Sequence, residues 1–254
     1  MDLLALADFN LVARHGGFGR ALFDRTAILL TELDETAAAI ASRGQKPRGR
    51  LRISAPLLFS QTAMGRIAAG FATKFPEIRL EVTTEDRPVD MIEEAYDLVI
   101  RVNPATDYTL VGHIFLRDRL VVVAGPTVER TCDMPISAVV RGQVGQAQAW
   151  DVATPAGTLR VPVDPILGLS SMVMVRDAVR TGVGVAQLPL SLVSHDLSVG
   201  TLMHWGDVDG PETALWALYP SRRLLSARVS AFLGYLKECF PDGTPDELAA
   251  YVSA

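Results

Sequence analysis

LRISAPLLFSQTAMGRIAAGFATKFPEIRLEV, residues 51–82, is the stretch whose reading decides the fold. LRISAPLLF (51–59) reads as a strand running into a loop, and TAMGRIAAGFATKFPE (62–77) as an amphipathic helix that stops before Pro76. IRLEVTTED (78–86) is a strand again. Two strands joined through a helix make a βαβ unit. The rhythm continues: PVDMIEEAY (88–96) is a short helix with Pro near its start, DLVIRV (97–102) a buried strand, and LRDRLVVVAGP (116–126) another. Strands alternating with helices at this spacing predict an α/β domain with a mostly parallel sheet.

Further on, helix is scarcer. ISAVVRGQ (136–143), QAWDVATP (148–155) and TLRVPVDPIL (158–167) read as strands. In SSMVMVRDAVRTGVGVAQLP (170–189), Val173, Val175, Ala178 and Val179 supply the apolar face of a helix. Gly182 or Gly184 ends it, and VAQLP starts a strand. LSLVSHDLSVG is a short helix, TLMHW a strand and ETALWALYP (212–220) a strong strand. SRRLLSARVSAFLGYLKECF (221–240) is a helix with Ser221 as N-cap and Leu224, Leu225, Val229, Phe232, Leu233 and Leu236 on its buried side.

Ahead of the α/β region, residues 2–14 have helical spacing that Gly16-Gly17 stops. A second helix covers 20–43, where Leu22, Thr26, Leu29, Leu33, Thr36 and Ile40 alternate in steps of four and three. That is a coiled-coil seam, serving either a dimer contact or an intramolecular face. RGQKPRGR (43–50) carries Gly, Pro and four cations without an acid, the composition of a linker. It is either a solvated hinge or a contact for DNA phosphates.

The bulk properties bound the class. With 254 residues, 49% hydrophobic and 21% charged, the chain is a globular protein for which two domains is the better expectation. A net charge of −5 shows no whole-protein preference for nucleic acid. No run approaches the roughly 18 apolar residues of a spanning helix, and MDLLALADFN lacks the basic start of an export signal. A cytoplasmic protein without membrane contact is expected. Cys132 and Cys239 lie far apart and form no C-x-x-C pattern, which suits free thiols in a reducing compartment.

The order of motifs resembles the LysR-type transcriptional regulators. DLLALADFNLVARHGGFGRA resembles the opening of that family, and LFDRT the wing of its winged helix-turn-helix. RGRLRISAPLLF, KFPEIRLEV, YDLVIRV, LVVVAGP, SSMVMVRDAVRTGVGVAQLP and LWALYPSRRLLSARVSAFLGYL look like successive landmarks of its effector-binding region. Each is weakly specific alone, while six in the family's order are strong, and they cover nearly all of the chain from residue 50 on. The resemblance implies a two-lobed, periplasmic-binding-protein-like effector domain of two Rossmann-like subdomains after a short helical N-terminal region. One departure stands out: Ala21 is followed at once by LFDRT, leaving no room for a recognition helix. About 30 to 45 residues are missing by what a helix-turn-helix and wing require.

The expected organisation is a head remnant and dimerisation helix over 1–43, a linker over 44–50, an effector domain over 51–240 and a tail over 241–254. Lobe I takes 51–125 with 207–240, and lobe II takes 126–206. Two open α/β lobes joined by two crossovers make a hinged cleft with its ligand at the carboxyl ends of the strands. Two loops should meet there: Ser54, Ala55, Pro56 and Leu57 with Phe59 and Ser60, and Ser170, Ser171 and Met172. Both feed helix N-termini, which favour an anion, and the serines add hydroxyl donors; the alternative role for each serine is a simple cap. Leu57, Phe59 and Met172 would supply apolar wall. Arg101, where DLVIRV leaves the sheet, is the candidate for charge recognition, unless it pairs with a surface acid. Arg141 and Gln143 could reach the cleft from lobe II.

The expected effector is a small carboxylate. His113, His195 and His204 are dispersed, so no metal site is expected, and no nucleophile–base frame, P-loop or cofactor motif is present. The functional expectation is a regulator, not an enzyme, acting as a homodimer or tetramer, with DNA binding weakened by the short head. The competing reading is a cytosolic binding protein without DNA contact that pairs with full-length relatives.

Overall fold

A computed structural model describes residues 46–87, 91, 94–105, 109–130, 134–155, 157–220 and 225–252. The two N-terminal helices, the seam and Cys132 therefore lie outside the described residues, as does most of the helix expected at 88–96.

Two sheets organise the chain. The first has five strands in the order β2-β1-β3-β11-β4. β1 (Gly49–Ala55) runs parallel to β2 (Ile78–Thr84) and β3 (Leu98–Val102). β11 (Thr213–Pro220) is antiparallel to β3 and to β4 (Leu110–Asp118). Between β1 and β2 the chain forms α1, a continuous helical run made of Leu57–Phe59, a π-helical turn Ser60–Met64 and a regular part Gly65–Lys74. Phe59, Ala63, Ile67 and Phe71 recur every four residues and are buried against the sheet, so they form the packing face of the helix. Phe71 sits 4.8 Å from Phe75 and 5.0 Å from Phe232, joining α1 to α4 (Ala227–Cys239) in one core.

The second sheet closes on itself in the order β10-β5-β9-β6-β8-β7. Its strands are β5 (Leu120–Ala124), β6 (Ile136–Arg141), β7 (Gln148–Thr154), β8 (Gly157–Leu169), β9 (Val185–Pro189) and β10 (Met203–Val208). Closure comes from Asp207 and Val208 of β10 pairing with Ala153 and Val152 of β7. Strand alternation divides its core. Val121 and Val123 of β5 pack under the two helices α2 (Met172–Arg180) and α3 (Leu190–Val199), while Val122 and Ala124 join Trp150 and Trp205 on the other face.

Four expectations need correction. The sheets are mixed: β1 with β2, β1 with β3, β6 with β8 and β6 with β9 are parallel, and the other pairings are antiparallel. Helices join only some strands, and direct turns such as β7 to β8 reverse the chain. The lobe boundary falls earlier than 125, because Leu120–Ala124 pairs with β9 and β10 of the second sheet; Asp207 and Val208 belong there too. The last long helix begins at Ala227, capped by Ser226, whose hydroxyl accepts the Val229 N–H at 3.4 Å; Ser221 lies outside the described residues. The stretch 241–254 is not a plain tail: Pro245–Val252 is a helix, α5.

The crossovers are short and pinned. Arg119 alone separates β4 from β5, and residues 209–212 separate β10 from β11. At the first, buried Asp118 accepts hydrogen bonds from the Arg119 N–H (2.8 Å), the Ser191 N–H (3.4 Å) and the Ser191 hydroxyl (2.6 Å). At the second, Asn103 accepts the Ala214 N–H at 2.9 Å and donates to the Glu212 carbonyl at 3.0 Å. Cys239 is a free thiol on α4. Among the described residues no helix is long and apolar enough to cross a membrane.

Candidate functional site

The carboxyl ends of β1, β2 and β3 lie side by side because the three strands are parallel. Ser54 is the penultimate residue of β1 and is fully buried. Arg101 closes over it from β3: one guanidinium nitrogen donates to the Ser54 hydroxyl at 2.9 Å, and another donates to the Ile100 carbonyl at 2.7 Å and the Ser54 carbonyl at 3.4 Å. No acid among the described residues forms an ion pair with Arg101. Burial pulls the Arg101 pKa down from its ordinary value, opposed at longer range by Glu85, Tyr96, Asp86 and Glu94. Among the described residues it is a cation held by neutral oxygens, with no acid in ion-pair contact.

Pro56 is buried and extended at the start of α1, where it offers no side-chain cap. The Leu57 N–H behind it is taken by Asp86, whose carboxylate accepts it at 2.8 Å from beyond β2. The Ser60 hydroxyl donates back to the Ala55 carbonyl at 3.3 Å. Ala55 and Phe59 are buried in the core of the first lobe, with Phe59 edge-on to Phe115 at 5.8 Å, so neither forms cleft wall. The reason is helical phase: Phe59 faces the sheet, and its neighbour Leu58 instead packs on the core cluster of the second lobe.

From the second lobe, Ser171 is buried and caps α2, accepting the Val173 N–H at 3.3 Å. Its hydroxyl also reaches Gln61 Oε1 in the π-helical turn of the other lobe at 3.4 Å. Met172 packs partly buried on the second lobe's core, and Ser170 is exposed. Arg141, at the end of β6, forms an ion pair with Asp86 across the lobes, while Gln143 is exposed.

Thus Ser54 and Arg101 are brought together at the carboxyl end of the first sheet, and Ser171 meets Gln61 of the π-helical turn across the lobes; Ala55 and Phe59 are turned into the first lobe's core, and Ser170 has no hydrogen-bond partner among the described residues. Gln61, Leu58 and Asp86 escaped the sequence reading. Asp86 carried a usable signal, since it follows a strand parallel to β1 and so emerges at the same sheet end. Gln61 carried none, because a π-helical turn has no composition mark, although such turns are frequent at functional sites. A small solvent-open pocket lined by Tyr96, Asp97, Tyr219 and Arg228 lies at the other end of β3, away from these groups. Among the described residues no three His, Cys, Asp or Glu side chains cluster as metal ligands.

Comparison with known proteins agrees with this fold. The family model of the LysR substrate binding domain matches residues 44–241. The HTH-type transcriptional regulator PtxR of Pseudomonas aeruginosa is 27% identical over 231 residues, 87% of this chain and 73% of the relative. DmlR of Escherichia coli K12, also an HTH-type regulator, is 22% identical over 237 residues, 90% of this chain and 77% of the relative. Among solved structures, CrgA from Neisseria meningitidis superposes with a TM-score of 0.68 at 21% identity, covering 85% of this chain and 76% of that one. Full-length AphB from Vibrio cholerae gives 0.63 at 18% identity, covering 94% of this chain and all of that one.

Proposed function

Since the chain belongs to the LysR-type transcriptional regulators through the substrate-binding domain spanning 44–241, we propose that its interlobe cleft senses a small carboxylate held by Arg101 and Ser54. The supporting observation is the state of Arg101: a half-buried cation whose hydrogen-bond partners among the described residues are a hydroxyl and two carbonyls. Burying a charge without a counter-charge costs free energy, and an incoming carboxylate removes that cost while accepting charge-assisted hydrogen bonds. Ser171 and Gln61 close the site from opposite lobes, and Leu57 and Met172 offer the apolar surface that would suit an aromatic acid. Calorimetry with benzoate and a panel of aliphatic acids tests this. Arg101→Ala should weaken binding by about 1.5–3 kcal/mol, the usual worth of a charged hydrogen bond. Unchanged affinity would remove Arg101 from the site and the carboxylate with it.

Coupling to DNA requires a reading head, and residues 1–43 have no room for helix, turn and recognition helix before the dimerisation seam begins. Operator binding by this chain alone is therefore weak and little dependent on sequence, and the seam pairs it as a dimer or tetramer. Nanomolar, sequence-dependent binding in a mobility-shift assay at physiological salt would refute the first part. Sedimentation as a monomer at micromolar concentration would refute the second.

A further inference from the structure

Asp86 makes two contacts that belong to different lobes. One carboxylate oxygen accepts the Leu57 N–H of the first lobe at 2.8 Å, and the other pairs with the Arg141 guanidinium of the second. Each partner is held in place by backbone. The Glu85 N–H donates to the Ala55 carbonyl at 2.9 Å, fixing the exit of β2 beside the start of α1. Gly142 takes φ +96° directly after Arg141 and donates its N–H to the Leu169 carbonyl at 2.8 Å, so the chain turns away and leaves Arg141 at the rim. The two side chains are 36% and 45% exposed, which makes the pair weak enough to exchange.

We infer that Asp86 and Arg141 form a latch between the lobes, in which Asp86 stands where an effector carboxylate would otherwise compete for the Leu57 N–H and the Arg141 guanidinium. This rests on the cleft being the effector site. A free acid offers the same charge and the same two oxygens as Asp86, so binding and latch release become linked, and the effector's apparent affinity is reduced by the fraction of molecules latched. Asp86 and Glu85 also lie near enough to Arg101 to act on its charge, so the displaced carboxylate is the acid an effector must work against.

The experiment places paired spin labels on cysteines introduced at Arg79 and Asp164, exposed strand positions on the two lobes, in the full chain with its natural cysteines replaced by serine. Arg141→Ala and Asp86→Ala should both lengthen and broaden the interlobe distance distribution, while Arg141→Lys keeps it. In calorimetry Asp86→Ala should bind benzoate about tenfold more tightly than the parent. Circular dichroism checks that every variant is folded, and Asp86→Asn, which keeps an acceptor for Leu57 but not the charge, should open the lobes as Arg141→Ala does. Distance distributions unchanged in all three opened variants end the latch and leave the carboxylate site standing. Equal or weaker benzoate binding by Asp86→Ala, or no heat with any variant, ends the stand-in role. Benzoate binding that ignores Arg101→Ala but strengthens in Asp86→Ala ends the proposed site while the latch survives.

Discussion

At the scale of single residues, Asp118 shows how the hinge sets a pH dependence. Its carboxylate is buried at the end of β4, and burial raises its pKa, while the hydrogen bonds from Ser191 and Arg119 work in the opposite direction. A folded-state pKa above the unfolded value means the folded protein holds the proton longer. The stability gained from the protonated form is complete below the ordinary aspartate range and is lost as pH rises through the raised value. Urea titrations across pH 4–7 should therefore show this slope in the parent and a flatter curve in Asp118→Asn. Asp118→Leu instead strands the Ser191 and Arg119 donors and should cost at least about 1–3 kcal/mol at every pH. Residues of this kind were only partly legible beforehand. Arg101 and Ser54 could be singled out, and they do meet, because strand ends and polar residues are both visible in sequence. Phe59 was misplaced because helical phase in the first turn cannot be read until the helix start is known.

Elements were legible where periodicity and breakers coincide. In RTGVGV, α2 ends at Arg180, and Gly182 takes φ +84° just beyond it, the left-handed C-terminal position that glycine fills without penalty. Gly184 has a different role that sequence does not disclose: a Cβ there would collide with the Ser137 carbonyl of β6. Because the obstacle is backbone inside a buried sheet, it cannot swing away. Gly184→Ala should destabilise by about 1–3 kcal/mol in chemical denaturation. Gly210→Ala is the control, since nothing lies within 4 Å of its would-be Cβ and its φ is not positive, and it should be neutral or slightly stabilising. Strand direction was not legible for the opposite reason. Parallel and antiparallel neighbours share one alternation pattern, and the pairings themselves, such as β10 with β7 and β11 with β3, reveal the mixture.

At the scale of the molecule, α5 changes how the two lobes are coupled. Its start was written in TPDE (244–247), a capping box: the Glu247 carboxylate accepts the Thr244 N–H at 3.0 Å, and Thr244 Oγ1 accepts the Glu247 N–H at 3.5 Å, with Pro245 at the first helical position. A composition-based boundary overlooks such a signal because the helix is only eight residues long. Leu248 is buried in the core of the first lobe, Val252 packs on the core of the second, and Tyr251 lies 5.5 Å from Phe240 and under Arg66 at 5.0 Å. The lobes are thus joined by two crossovers and by a helix that belongs to both cores. Two cores linked only by short crossovers unfold independently unless apolar surface is shared between them. The parent should therefore unfold in one calorimetric transition. Leu248→Ala removes a buried side chain and should cost about 2–5 kcal/mol, concentrated in the first lobe. With Val252→Asp as well, the helix loses its hold on both cores, and the single transition should separate into two whose enthalpies sum to less than that of the parent. If both variants keep one symmetric transition and merely shift it, the lobes are coupled without α5, through the two crossovers and the contacts of Leu58, Gln61 and Asp86, and α5 is a cover for the first lobe with no part in holding the second.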